Sequence, residues 1–206
     1  MKEQYRLIKE KVCNEIVIEK SSFICNLIPI SSKEEADYYL KEINKEHYKA
    51  THNCYAYTLF DPTTLKSSDD GEPSGTAGIP ILEVLRKNNL FQVLAVVTRY
   101  FGGIKLGAGG LVRAYTQATA KAIEKAKLFK SCIFTHYEIE FTYDLISFVD
   151  KFMALNNIKC LNKDFDINVT YIFYLEDTNL FDKLNQYVNG KLKVKKTYEA
   201  EIIIPS

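Results

Sequence analysis

The sequence predicts a mixed α+β chain of two domains, and three observations carry that reading. Strand-like and helix-like segments alternate along the chain. A glycine-rich run joins a wholly apolar strand to a long alanine-rich helix. After residue 131 the texture changes to a strand–helix–strand–strand–helix–strand order. At 206 residues the chain has room for one large domain or two modest ones, at the usual ~100–200 residues each.

Partial apolar–polar alternation places strands at Val12–Glu19 and Phe23–Ile30. Ser31 and Ser32 read as an N-cap with Glu34 or Glu35 in the first turn, opening a helix to about Glu46 that turns Ala36, Tyr39, Leu40 and Ile43 inward. A strand follows at His52–Phe60, then a polar loop from Asp61 to Ser74, long enough to suggest function or disorder. Pro80 is tolerated in the first turn of a short helix that Asn88 and Asn89 end. Phe91–Thr98 is almost wholly apolar, as expected of a strand covered on both faces. A helix from about Leu111 to Phe129 carries its apolar stripe on Leu111, Tyr115, Ala118, Ala122 and Ala126.

Beyond the expected boundary, Ile133–Tyr143 alternates as a strand and Asp144 is placed to cap a helix bearing Leu145, Phe148, Val149, Phe152 and Leu155. Ile158–Asp166 and Ile167–Leu175 read as a hairpin turning near Lys163–Asp166. Asp177 or Thr178 caps a second helix that ends at Gly190, and a last strand runs over Val194–Ile204. The expected domains are 1–131 and 132–206, the second a ferredoxin-like βαββαβ unit.

Composition narrows the function classes. Apolar residues make up 47% and charged residues 26%, enough to bury a core without disulfides or metals. With 27 basic and 26 acidic side chains, any nucleic-acid contact must come from a local patch. Cysteines at 13, 25, 54, 132 and 160 form no CxxC, which fits reduced thiols and neither a disulfide framework nor zinc. The opening residues lack an apolar h-region, and no stretch approaches the ~18 apolar residues of a span, so a cytoplasmic, non-membrane protein is expected.

Chemistry concentrates in two segments. Gly102, Gly103, Gly107, Gly109 and Gly110 fall between strand and helix, where glycine permits positive φ and close backbone approach to a ligand. Amides at the start of the helix suit an anion, and Arg99, Lys105 and Arg113 add cations. A phosphate, nucleotide or nucleic-acid backbone is the natural partner, although the spacing matches neither GxxxxGK[ST] nor GxGxxG, and glycines serving only a tight turn and close packing remain an alternative. The second segment is the acidic loop with Asp69, Asp70 and Glu72. These carboxylates suit a divalent cation, pairing with Arg99 or Lys105, or plain solvation; the spacing is not that of a calcium loop. His52 and Cys54 share one face of a strand at a separation of ~6.5–7 Å, which favours a structural role over a nucleophile pair.

Three segments in order, His52-Asn-Cys-Tyr-Ala-Tyr, Asp69-Asp-Gly-Glu-Pro-Ser-Gly-Thr-Ala-Gly and Thr98-Arg-Tyr-Phe-Gly-Gly-Ile-Lys-Leu-Gly-Ala-Gly-Gly-Leu-Val-Arg-Ala-Tyr, closely resemble the signature of the IMPACT family. The length resembles its bacterial, two-domain YigZ-type branch. That resemblance implies an N-terminal βαβ-containing domain similar to domain IV of elongation factor G and a C-terminal domain similar to its domain V. It implies a translation-associated regulatory protein that contacts RNA or the ribosome, with a possible protein partner in the translation machinery. The site then comprises Arg99, Tyr100, Gly102, Gly103, Lys105, Gly107, Gly109, Gly110 and Arg113 as the anion-binding or nucleic-acid surface. His52, Tyr55, Asp69, Asp70, Glu72, Ser74, Gly75 and Thr76 form an adjoining patch. No catalytic residue, metal or cofactor is assigned. The competing readings are a phosphotransferase or hydrolase that uses the same loop with acidic metal ligands, and a protein-docking module built on the aromatic C-terminal half.

Overall fold

The computed structural model describes residues 5–60 and 64–206; expectations that fall on residues 1–4 and 61–63 lie outside the described residues. The chain forms two compact units, Tyr5–Lys130 with Pro205–Ser206, and Ser131–Ile204.

The first unit contains β1 (Arg6–Ile8), β2 (Val12–Ile18), β3 (Ser21–Pro29), α1 (Lys33–Glu46), β4 (His52–Thr58), β5 (Leu65–Ser68), α2 (Gly78–Lys87), β6 (Val93–Tyr100) and α3 (Gly107–Lys125). Its sheet has the order β2-β3-β6-β4-β5, antiparallel throughout. β3 and β4 both run antiparallel to β6 between them and are therefore parallel to each other, joined by α1, so a βαβ crossover is split by β6. Ser32 caps α1, its Oγ accepting from the Glu35 amide at 3.2 Å, while the Glu35 carboxylate accepts from the Ser31 amide at 2.6 Å.

The period of two along the strands sorts this unit into two cores. Phe23, Cys25, Leu27, Cys54, Ala56, Val93, Ala95 and Val97 face α2 and α3. Ile28, Tyr57, Leu94 and Val96 face Ala36 and Ile43 of α1. Burial on both faces accounts for the unbroken apolar run in β6.

Three elements of this unit differ from the sequence reading. The long helix begins at Gly107 and ends at Lys125, four residues earlier at each end than expected. Its glycines are poor helix formers, but the first turn needs the least from propensity, and Leu128–Lys130 is drawn into pairing with β1. Strand β1 itself carries too few residues for a periodic signal, and β5 is a polar edge strand inside the stretch read as loop.

The second unit contains the rest of β7 (Leu128–Phe141), a 3₁₀ turn (Tyr143–Leu145), α4 (Ile146–Leu155), β8 (Cys160–Phe165), β9 (Val169–Leu175), α5 (Asn179–Tyr187) and most of β10 (Lys193–Pro205). Strand order β8-β9-β7-β10, with the element order β–α–β–β–α–β, is that of a ferredoxin-like split βαβ unit. Asp144 lies within the 3₁₀ turn instead of capping α4, and the hairpin turns at Asp166–Asn168, because Asp164 and Phe165 still pair with Thr170 and Val169.

Candidate functional site

The site is assembled on the α2/α3 face of the first sheet. Arg99 on β6 is the cross-strand partner of Phe23 on β3 and of His52 on β4. Its guanidinium lies 5.4 Å from the Phe23 ring and 5.5 Å from that of Phe101. One rank further along β4 and β6 sit Cys54 and Val97, both fully buried.

The acidic loop is bound down by its own carboxylates. Asp69 Oδ1 accepts from the amides of Ala77 (3.0 Å) and Gly78 (2.8 Å), and Oδ2 from that of Gly75 (2.9 Å). Asp69 therefore serves as the cap of α2, whose own N-cap residue, Ala77, has no side chain for the task. Burial opposes its ionisation, but the three amide bonds outweigh burial and hold its carboxyl below the usual carboxylate range. Asp70 Oδ2 accepts from the Asn53 amide at 2.6 Å. The backbone then turns with positive φ at Asp70 (44°) and Gly71 (86°), which returns Glu72 to the protein.

Glu72 is the hinge of the site's electrostatics. Its side chain is 3% exposed, and its Oε1 accepts from Arg99 Nη1 at 2.7 Å and from the Tyr115 hydroxyl at 2.8 Å. Its Oε2 is 3.9 Å from His52 Nε2. His52 Nδ1 is 2.7 Å from the Asp70 carbonyl oxygen, which can only accept, so Nδ1 carries a proton and Nε2 is the nitrogen turned toward Glu72. The Cys54 thiol lies 2.8 Å from the Asp69 carbonyl and 3.3 Å from the Tyr115 hydroxyl, and burial pushes it up to about 12. Burial, reinforced by Cys54 and Glu72, also drives the Tyr115 phenol well above its ordinary value. Tyr115 stays a donor to the carboxylate, and Cys54 stays a thiol.

The glycine run supplies the opposite wall. A Cβ on Gly102 would lie 2.0 Å from the carbonyl carbon and oxygen of Lys20, so only glycine lets β6 leave the sheet there; its amide donates to Ser21 Oγ at 3.1 Å. Gly103 (φ 88°) and Gly107 (φ 67°) turn the chain into α3. Leu106 precedes α3 without a side-chain cap, and first-turn amides have no intrahelical acceptor. Thr51, His52, Glu72, Pro73, Arg99, Phe101, Lys105, Leu106, Gly107, Ala108 and Leu111 line one cleft of ≈ 330 Å³. The acidic loop and the glycine run thus share a single site, with Lys105 exposed at its edge.

Of the residues singled out in the sequence, the structure brings together His52, Glu72, Arg99, Lys105 and Gly107. Arg99 is 6% exposed and committed to Glu72, so it is not a surface cation. Arg113 and Gly110 line a neighbouring recess beyond Lys105 and Leu106, with Glu19. Tyr55 and Tyr100 fall on the opposite face: Tyr55 packs against the α1 core, and the Tyr100 hydroxyl lies 3.0 Å from His47 Nδ1. Ser74 and Gly75 are exposed, and the Thr76 hydroxyl donates to the Pro73 carbonyl within the loop. Gly103 and Gly109 are exposed, with Arg113 Nη1 3.6 Å from where a Cβ on Gly109 would lie. Among the described residues no group of three or more His, Cys, Asp or Glu side chains is placed to hold a metal ion. Tyr115 was legible only as part of the apolar stripe; the signal for its second role is the hydroxyl, which a buried tyrosine must satisfy.

Comparison with known proteins gives this arrangement its relatives. The model of the Impact N-terminal domain matches residues 19–123, the span that holds the whole site. IMPACT family member YvyE of Bacillus subtilis (strain 168) is 39% identical over 200 residues, covering 95% of this chain and 92% of that protein. The chain belongs to the IMPACT family. A second IMPACT relative, YigZ of Escherichia coli (strain K12), is 34% identical over 183 residues, covering 86% of this chain and 90% of that one. A solved structure described as a hypothetical protein superposes with a TM-score of 0.61 at 30% identity, covering 94% of this chain and 97% of that one. No helix among the described residues is long and apolar enough to cross a membrane.

Proposed function

We propose that this IMPACT-family chain is a cytoplasmic, translation-associated regulatory protein that binds RNA, on the ribosome or free of it, through the shelf from Phe101 to Arg113. The observation that carries the reading is the exposure of that shelf. Gly103, Ile104, Lys105, Gly107, Ala108, Gly109 and Arg113 are all exposed, and Phe101 is 47% exposed. Lys105 and Arg113 supply exposed cations for phosphates, the first-turn amides of α3 add donors, and Phe101 offers a stacking face. Arg99 has a different part in this scheme: it holds Glu72 and the acidic loop in place beneath the shelf.

The family resemblance supports the same direction, with the two units read as counterparts of domains IV and V of elongation factor G. The split βαβ of the first unit and the strand order β8-β9-β7-β10 of the second are compatible with that pairing. A protein of the translation machinery is the accompanying partner in this reading. The enzymatic alternative gains little from the site, because Asp69, Asp70 and Glu72 already accept hydrogen bonds from the protein itself.

The test is anisotropy of a fluorescent structured RNA, and sedimentation with ribosomes, across salt. Each phosphate contact contributes about 0.9 to the slope of log affinity against log salt, so Lys105→Ala with Arg113→Ala lowers that slope by roughly 2. No binding at low salt, or an unchanged slope in the double variant, refutes the proposal.

A further inference from the structure

We infer that the open face of the second unit's sheet is a stacking platform for the unpaired bases of single-stranded RNA. This is a contact on a different unit from the shelf, made by different groups, and it stands if the shelf fails. Helices α4 and α5 cover one side of the sheet only: Tyr137, Ile139, Phe141, Tyr171 and Phe173 point into the core they form with it. The alternate residues of β7 and β9 point the other way, where no core cluster forms among the described residues. Three rings lie in a row across three adjacent strands of that face. His136 on β7 is the cross-strand partner of Tyr174 on β9, with ring centroids 5.2 Å apart. On the other side of β7, Tyr198 of β10 stacks on His136 at 4.3 Å and 17°. Tyr198 is nevertheless 42% exposed, so the rest of its ring surface is open to solvent. Beyond Tyr174 the row runs into a recess of ≈ 480 Å³ walled by Phe134, Tyr174, Leu161 and Leu180. The exposed Asn157 also lines it, with an amide suited to a base edge.

The make-up of the face selects the occupant. Every base has a π-face, and rings carried side by side on a sheet are the arrangement that takes two or three unpaired bases. A protein partner fits less well, because the buried centre of a protein interface is depleted in charge. Here the other outward residues of the paired segments are Glu138, Glu140 and Thr170, with Ile172 the single aliphatic. Cations stand at both ends of the row. Lys196 Nζ lies 5.2 Å from the Tyr198 ring and Lys159 lines the recess; both are exposed, with no ion pair among the described residues. Of the nearby carboxylates, Glu140 is met by Lys193 and Lys195 at 3.5 Å each, and Asp177 accepts from the Asn179 amide at 3.0 Å. Glu138 and Glu176 remain to oppose the two lysines, so the rings carry the binding and the lysines add phosphate contacts.

The test is anisotropy of a fluorescent oligoadenylate of about eight nucleotides, on the full chain carrying Lys105→Ala and Arg113→Ala so that the shelf is silent. Saturable binding is expected, with an abasic strand of the same length at least about tenfold weaker, since it keeps the phosphates and lacks the rings. Adding Tyr198→Ala or Tyr198→Leu should weaken binding about tenfold, whereas Tyr198→Phe should hold it within about twofold. Tyr198 lies outside the core clusters, so all three variants keep the fold. The chain has three histidines, so their ring signals are readily resolved by NMR. RNA should move those of His136 and leave those of His52, which lines the cleft of the first unit. The inference is overturned by the absence of saturable binding in this background, by an abasic strand that binds as tightly, or by parental affinity in Tyr198→Ala. The shelf is decided separately, by the salt slope of the parent against the same double variant, so either proposal can fail alone.

Discussion

Replacing Glu72 by Leu removes the acceptor that holds Arg99 and Tyr115, and the structure sets the size of the effect. The two charged side chains are 3% and 7% exposed, and Nη1 meets Oε1 at 2.7 Å. Removing one member of a buried ion pair costs about 3–5 kcal/mol, because the other charge stays buried without compensation. The Tyr115 hydroxyl, also buried, loses its acceptor and adds about 1 kcal/mol. Arg99→Met should cost a similar 3–5 kcal/mol, since it strands the carboxylate. The double variant leaves neither charge and should cost only about 1–2 kcal/mol, mostly from Tyr115. The cycle therefore predicts a large coupling between two residues far apart in sequence. Urea unfolding followed by far-UV circular dichroism reads it, and each single variant should melt roughly 10 °C below the parent. Single-variant losses below about 1 kcal/mol, or a double variant that loses the sum of the two, would refute the claim that this pair anchors the site.

Two further predictions test the backbone around the site. Asp69→Asn should destabilise the protein by about 1–2 kcal/mol through the α2 cap. The folded carboxyl is held below its ordinary 3.8, so its contribution is present above that value and lost as pH falls through the lower folded value. Urea midpoints of parent and variant should differ at neutral pH and converge below about pH 4; a gap that persists in acid would show that the carboxylate is not the cause. Gly102→Ala should cost about 1–3 kcal/mol, because its Cβ falls 2.0 Å from the Lys20 carbonyl and backbone must move. A thermal melt unchanged from the parent would mean that β6 leaves the sheet by another path.

Much of the fold was legible because its signals are local. Alternation at Phe23–Leu27, the serine cap of α1 and the apolar run of β6 each reflect a choice made within a few residues. Of the elements that escaped, β1 is held by a partner distant in sequence, whereas β5 pairs with neighbouring β4 but is a short polar edge strand with no apolar period to read. The start of α3 was misplaced because a glycine-rich first turn reads as loop. Asp69 could not be recognised as a cap for amides six to nine residues downstream, since capping signals are read at a spacing of two or three. Strand parity explains the misplaced tyrosines: Tyr55 and Tyr100 are each one residue from a site residue or its neighbour, and one residue turns a side chain to the other face.

The sequence by itself determined the α+β class, the strand and helix order of both halves, and the residue types that anion chemistry needs. Those follow from periodicity, turn chemistry and composition, which operate over short spans. Tertiary structure alone decided which charges are available. Arg99 and Arg113 look equivalent in the sequence, yet one is buried against Glu72 and the other is exposed in a neighbouring recess. The physical reason is that burial and pairing belong to the register of β6 against β3 and β4 and to the fold of the acidic loop, and no local pattern encodes either.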